Sequence, residues 1–318
     1  MPNCAALLKA IDAYIAKADE SLTNALESAG FADCADTVAE ISALEENIAQ
    51  ALTTQSGVIN QRLSESVDLG EFAEAWAELK GLDNTDEVLA QLFHDSFTTN
   101  MPKLATSYIK QVDSALTVAK ITKRTVDWAQ EWSAELGKLM KLTGHDAIDS
   151  LLVEHLRDGN SVADFTRALM DDGIRDEYYR ARRAAVTETL RAHSIAQQEA
   201  ITQNPAVDDK MWKHTGEYRN KPRENHVAMD GATVRKDQPF SLQGADGNAY
   251  YPMYPRDSCL PASESVHCHC IHQGIANSDV LGLPLEERQE LQRYYIALDD
   301  AEWERELNDS NRARAGIE

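Results

Sequence analysis

The densest group of metal-binding side chains in this sequence lies between residues 259 and 272. Cys268 and Cys270 are two residues apart, so in an extended strand both side chains point to the same side. Thiolate and imidazole are the ligands that Zn²⁺ prefers, and a structural zinc ion takes four of them in a tetrahedron. The two cysteines therefore predict half of a zinc site.

The other half must come from more distant residues. We expect Cys259 to approach across the preceding loop and His226 to reach the cysteine pair from residues 223–226. The predicted zinc ligands are His226, Cys259, Cys268 and Cys270, and the competing donors are Asp230, His267, His269 and His272. Asp230 has a second interpretation, as a residue that orients His226 without touching the metal. Buried free thiols and a disulfide are the alternatives to zinc, and intracellular folding argues against the disulfide.

Two further interpretations of His226 stay open. A catalytic His226 would activate water in a hydrolase, which would need a second group of ligands to hold Mg²⁺ against phosphate. A structural His226 would form a hydrogen bond with Asp230 and fasten the turn at Gly231. The sequence contains no Gly-rich phosphate loop, no Ser-nucleophile motif and no His-Glu-x-x-His. We therefore predict no enzymatic activity and assign no catalytic residue.

The elements that must position these residues differ between the two parts of the chain. Residues 1–203 are rich in strong helix formers and contain two of the nine prolines, so they predict a helical bundle. Beyond residue 204 short candidate strands lie at 210–214, 232–235, 248–253 and 267–272, followed by a helix over 283–308 and a frayed tail. The predicted fold is mainly α, an N-terminal helical bundle followed by a small α+β module and a closing C-terminal helix. The predicted domain boundaries are 1–172, 173–283 and 284–318.

The longest predicted helix, residues 174–203, is also the most basic. Arg180, Arg182 and Arg183 lie close together near its start. One interpretation is an ordinary solvated face that balances acidic neighbours. The other is a docking face for an acidic partner or for DNA phosphate.

Charge and hydropathy exclude several classes of protein. The chain has 31 Lys and Arg against 53 Asp and Glu, a net charge of −22, and residues 1–100 hold 18 acidic and 4 basic side chains. Such a region repels polyanions, so it is unsuited to broad DNA binding. No apolar stretch approaches the roughly 18–20 residues of a membrane span, and the start lacks a basic signal, so we expect cytoplasmic synthesis. Cys4 and Cys34 stand alone in helical patterns and are predicted to be buried, inert thiols.

Four sequence elements occur in an order that is typical of one family. They are Thr187-Glu188-Thr189 on the long helix, Arg223-x-x-His226-x-x-x-Asp230-Gly231, the proline-rich loop 251–257, and Cys268-x-Cys270. This order resembles the Mu-F-like head morphogenesis proteins of tailed phages over about residues 174–273. The sequence departs from that pattern at Val186, where the family has Arg, at His267, where it has Asn, and at His269, where it has Arg.

The resemblance implies a structural function rather than a catalytic one. Family members are minor components of the procapsid that associate with the portal, and some travel with the DNA at ejection. The resemblance therefore implies a virion protein, assembled in the host cytoplasm, with the portal and other head proteins as partners and packaged DNA as a further contact. The alternative is a metal-dependent hydrolase, a nuclease or toxin-like effector, carried in the virion.

Overall fold

The computed structural model of the chain describes residues 19–118, 120–171, 177–215, 222–297 and 302–316. Cys4, predicted to be a buried thiol, and the first residues of the predicted helix 174–203 lie outside these described ranges. Contacts along the chain divide it into two compact units. Unit 1 comprises Met1–Ile41, Thr99–Val126 and Val186–Glu318, and unit 2 comprises Ser42–Thr98 and Asp127–Ala185. The domain boundaries expected from the sequence stay a prediction.

Helices account for most of the described residues, which confirms the predicted mainly α fold. The long helices are α1 (residues 19–29), α2 (Cys34–Glu65), α3 (Leu69–Leu82), α4 (Thr85–Val112), α5 (Lys123–Arg157), α6 (Val162–Asp171) and α7 (Glu177–Gln203). Short helices follow in the C-terminal part, α8 (Glu224–Ala228), α9 (Ala262–Ser265) and α10 (Ser278–Leu281), and the chain closes with α11 (Leu285–Ala297) and α12 (Glu302–Ala315). Among the described residues, no helix has the length and apolarity that crossing a membrane requires.

The described residues of unit 1 include five short strands. They are β1 (Val207–Lys213), β2 (Thr233–Arg235), β3 (Leu242–Gln243), β4 (Ala249–Tyr250) and β5 (Ile271–Ala276). Strand β1 is central in an antiparallel sheet of order β2-β1-β5, while β3 and β4 form a separate hairpin. In the pairing of β1 with β5, Trp212 stands opposite His272 and Lys213 opposite Ile271.

The core of unit 2 is built from the apolar faces of its helices. The buried aromatic residues Phe72, Trp76 and Phe165 pack with aliphatic residues of α2, α5 and α6. Helix α6 begins at Val162, where Ser161 and Asp164 cap each other. The Asp164 N–H donates to Ser161 Oγ at 3.2 Å, and the Ser161 N–H donates to Asp164 Oδ2 at 3.3 Å.

Two core clusters can be described among the residues of unit 1 that the structure shows, and helix α7 contributes to one of them. Ala196 and Ala200 of α7 pack against Leu104, Tyr108 and Ile109 of α4. The second cluster lies under the small sheets and contains Trp212, Phe240, Leu242, Tyr250, Leu260 and the cysteines Cys259, Cys268 and Cys270. The three cysteines predicted to bind metal therefore belong to one core cluster.

Two predicted elements differ from the structure. The C-terminal tail was expected to fray from residue 309, but α12 continues to Ala315. Asn311, fully buried, explains the difference: its Nδ2 donates to the Tyr251 carbonyl at 3.0 Å, and its Oδ1 accepts from the Tyr251 N–H at 3.1 Å. The predicted strand 267–272 is also shifted, since β5 begins at Ile271 and the segment with both cysteines precedes it.

Candidate metal centre

Three of the four predicted zinc ligands meet in unit 1. The ligand atoms of His226, Cys268 and Cys270 all lie within 4.8 Å of one another, and the three side chains are buried. The Nδ1 atom of His226 is 3.4 Å from Cys268 Sγ and 3.8 Å from Cys270 Sγ. Among the residues that the structure describes, this is the one such group of three or more His, Cys, Asp or Glu.

The orientation of His226 depends on a carboxylate that the sequence analysis did not single out. The Nε2 atom of His226 lies 2.9 Å from Glu264 Oε2 in α9. Glu264 also accepts from the Ala245 N–H at 2.8 Å and from Asn225 Nδ2 at 3.0 Å. The interpretation that His226 forms a hydrogen bond with Asp230 is wrong. Nε2 of His226 contacts Glu264 instead, and Nδ1 faces the cysteines.

These contacts shift the pKa values of the pair in opposite directions. Burial raises the pKa of Glu264, but the hydrogen bonds from His226, Ala245 and Asn225 outweigh it and lower the pKa to about 2. Burial lowers the pKa of His226, but hydrogen bonds with Cys268 and Glu264 outweigh it and raise the pKa to about 9. A charged imidazole in this position favours a thiolate beside it.

Cys268 and Cys270 shift each other's pKa in opposite directions. The hydrogen bond from Cys270, together with His226 and the charge of Arg256, lowers the pKa of Cys268 well below its ordinary value despite burial. The same hydrogen bond and burial raise the pKa of Cys270. The four described cysteines, Cys34, Cys259, Cys268 and Cys270, form no disulfide. These shifts favour the thiolate form of Cys268, and the thiolate is the form in which cysteine binds a metal ion.

Arg256 fixes the backbone of the cysteine segment. Its guanidinium donates to the carbonyls of Cys268 and Cys270, at 2.7 Å each, and to Ser194 Oγ on α7 at 2.6 Å. Because these two carbonyls bind a side chain rather than a neighbouring strand, the segment does not form the strand that the sequence predicts. Arg256 itself is buried and has a positive φ of 63°.

His214, at the end of β1, is the fourth potential ligand that sequence reasoning missed. Its Nδ1 atom lies 3.6 Å from Cys270 Sγ. The His214 N–H donates to Asp230 Oδ1 at 2.8 Å, and the next residue, Thr215, donates from Oγ1 to the His269 carbonyl at 2.9 Å. The pairing of Lys213 with Ile271 explains why His214 lies near Cys270, since one further step of this antiparallel register brings the two residues side by side.

Three other donors considered in the sequence, Cys259, His269 and His272, are not members of this group. Cys259 lies in the same core, but its Sγ accepts from Asn311 Nδ2 at 3.6 Å, and burial raises its pKa well above the ordinary value. His272 lies in β5 beside Tyr254, with a ring-centroid distance of 6.0 Å. Both of its ring nitrogens are buried without a hydrogen-bond partner, and burial keeps its pKa well below the ordinary value. Burial also lowers the pKa of His269, to about 4.

The three predicted partner-binding arginines have different surroundings in unit 2. Arg180 donates to the Met140 carbonyl at 3.1 Å, and Arg182 forms an ion pair of 2.8 Å with Glu45. Arg183 is exposed, with its guanidinium carbon 5.8 Å from the centre of the Tyr179 ring. Binding of a partner or DNA by this face stays a prediction, and Arg183 is the exposed cation that it offers.

Comparison with known proteins gives a family match and a relative of similar sequence. Residues 146–273, which include the whole cysteine and histidine group, match the family described as Phage Mu protein F like protein. The chain is 34% identical over 215 residues to the uncharacterized protein YqbB of Bacillus subtilis (strain 168), covering 68% of this chain and 69% of that protein. No solved structure matches the chain.

Proposed function

Because the chain belongs to the Mu F-like family of phage head morphogenesis proteins, we propose that it is a minor structural protein of a tailed-phage head. It acts in procapsid assembly at or near the portal, with the portal protein and other head proteins as partners. Its place in the virion is inside the head or at the portal vertex. The match of residues 146–273 to the family is the observation that carries this proposal.

The contacts of the motif residues support a structural rather than a catalytic function. Arg223 donates to the Val266 carbonyl at 2.7 Å, and Asp230 holds the backbone of His214. His226 is 2% exposed, and both of its ring nitrogens are engaged by protein atoms. A general base must come within hydrogen-bond distance of the proton it removes from a substrate. These side chains instead join the loops of a small module to one another.

The same proposal assigns contact with packaged DNA to the exposed start of α7. The 18 acidic side chains among residues 1–100 repel phosphate, whereas Arg183 faces solvent. Contact with DNA is therefore local and sensitive to salt.

Purification of heads tests the proposed location. Particles from cells that produce heads would be separated on a gradient, and the chain and the portal protein would be quantified in each fraction by mass spectrometry. We expect the chain in the particle fractions at a constant ratio to the portal protein, and an affinity-tagged chain to retain the portal protein of the same phage. Recovery of the chain exclusively outside particles, without the portal protein, would contradict the proposal.

A nuclease assay tests the alternative of a packaged hydrolase. The purified full chain would be incubated with plasmid DNA and Mg²⁺ or Mn²⁺, beside the variant His226→Ala. We expect intact plasmid with both proteins and a lower melting temperature for the variant, because loss of the His226 ring removes one hydrogen-bond partner of the buried Glu264 carboxylate. Cleavage by the wild type, together with a folded and inactive variant, would establish the hydrolase instead.

A further inference from the structure

We propose that His214, His226, Cys268 and Cys270 bind one Zn²⁺ ion, with His214 rather than Cys259 as the fourth ligand. This inference goes beyond the proposed function, since a head protein could lack a metal and a zinc protein could lie outside the head. Two thiolates and two imidazoles are a donor set that Zn²⁺ prefers over harder cations such as Mg²⁺ or Ca²⁺.

Three of the six distances between the proposed donor atoms fit a tetrahedron around zinc. Zinc–sulfur and zinc–nitrogen bonds of about 2.3 and 2.0 Å give tetrahedron edges of roughly 3.3–3.8 Å. The Nδ1 atom of His226 lies 3.4 Å from Cys268 Sγ and 3.8 Å from Cys270 Sγ. The Nδ1 atom of His214 lies 3.6 Å from Cys270 Sγ. Three of the edges between different ligands therefore have the length that a shared ion requires.

Each ligand is held in place by a contact outside the metal-binding atoms. Glu264 engages Nε2 of His226, which leaves Nδ1 as the atom that faces the cysteines. This is the carboxylate–histidine–metal arrangement that orients zinc ligands in proteins. Arg256 binds the carbonyls of both cysteines, and Asp230 binds the backbone of His214.

The surroundings of Cys259 favour His214 as the fourth ligand. The thiol of Cys259 is wholly buried and accepts a hydrogen bond from Asn311 of α12. Neither Cys259 nor His214 is a member of the group whose donor atoms all lie within 4.8 Å of one another, but His214 contacts one member of it, Cys270, directly. Four protein ligands close the coordination shell, as structural zinc sites do, and leave no position for a catalytic water.

Metal analysis of the purified full chain tests the site. We expect about one equivalent of zinc per chain, and a visible absorption of tetrahedral, thiolate-bound Co²⁺ when cobalt replaces it. A chelator should lower the melting temperature, because the ion binds the folded module alone. Wild-type protein that takes up neither ion, with a melting temperature unaffected by the chelator, would overturn the proposal.

Matched variants identify the fourth ligand. His214→Ala should weaken zinc binding by more than the roughly 10–100-fold that loss of an outer contact costs, and should alter the Co²⁺ spectrum. Cys259→Ala, the control, should keep the wild-type affinity and spectrum. His214→Cys restores a zinc ligand at the same position and should recover binding, which separates loss of a ligand from misfolding. Wild-type affinity and spectrum in His214→Ala, or loss of metal in Cys259→Ala, would show that His214 is not the fourth ligand.

Discussion

The Nε2 atom of His226 lies 2.9 Å from Oε2 of Glu264, and the two side chains are 2% and 1% exposed. The residues are 38 positions apart, and Glu264 belongs to a helix of four residues, α9. Oε1 of the same carboxylate accepts from the Ala245 N–H in the loop between β3 and β4. Glu264 therefore joins three segments of the module and sets which nitrogen of His226 faces the cysteines.

Replacing Glu264 with Gln tests the importance of this pair for stability. The amide keeps the size of the side chain but turns one acceptor into a donor, so buried partners in the module lose their hydrogen bonds. We expect the free energy of unfolding to fall by about 1–3 kcal/mol, measured by urea denaturation. Glu287→Gln, at an exposed position in α11, should change it by less than about 0.5 kcal/mol. Equal stability of the two variants would contradict a structural function for Glu264.

Arg256→Lys tests whether the planar guanidinium holds the cysteine segment. A single ammonium group cannot reproduce the fork that binds Cys268, Cys270 and Ser194 together. We expect a loss of about 1–3 kcal/mol from the buried carbonyls that lose their donor, measured by thermal and urea denaturation. The exposed substitution Arg235→Lys is the control, and a variant Arg256→Lys as stable as this control would show that charge alone is sufficient.

The sequence predicts the parts of the site that depend on residue type and local spacing. Cys268-x-Cys270 and His226 stand out because few side chains bind metal through sulfur or imidazole, and the structure brings these three together. The contribution of His214 depends on the register between β1 and β5, and that of Glu264 on the position of a four-residue helix. Both are long-range properties, to which no local pattern in the chain corresponds.

The same distinction separates the fold predictions that succeed from those that do not. The helices up to Gln203 follow from composition and apolar spacing, which are local. The final turns of α12 are polar, so local pattern predicts a frayed tail. They are instead held by Asn311, whose amide binds the backbone of Tyr251 at a distance of 60 residues in sequence. The spacing of apolar residues along the chain does not predict long-range hydrogen bonds of this kind.

Single substitutions on α7 separate partner binding from stability. Arg183→Glu changes an exposed cation and should leave the free energy of unfolding within about 0.5 kcal/mol of the wild type. If this face binds an acidic partner or DNA, the variant should bind it more weakly, with a loss that shrinks as salt rises. Arg182→Glu would instead place two carboxylates together at Glu45 and should lower stability. Unchanged incorporation of Arg183→Glu into heads would identify the face as ordinary solvated surface.

His193 should make unit 1 sensitive to acid. Its ring is fully buried, with Nε2 2.9 Å from Thr37 Oγ1 and Nδ1 2.8 Å from the Tyr108 hydroxyl, and Phe31 packs edge-on against it. Burial, helped by the charge of Arg256, lowers its pKa from 6.5 to about 3. The unfolded chain therefore binds a proton that the folded chain does not between pH 6.5 and about 3.

Stability should consequently be highest above pH 6.5 and fall as the pH drops towards 3. Between pH 6.5 and 4.5, His193 should account for about 2 kcal/mol of lost unfolding free energy. His193→Gln keeps polar atoms near Thr37 and Tyr108 but cannot titrate. Between pH 6.5 and 4.5 its free energy of unfolding, measured by urea denaturation, should therefore fall by about 2 kcal/mol less than that of the wild type. Above pH 7.5 the dependence on pH of the two proteins should be parallel, whatever their difference in absolute stability. Equal acid sensitivity of wild type and variant would mean that His193 is protonated in the folded state, and that its hydrogen bonds to Thr37 and Tyr108 do not require the neutral ring.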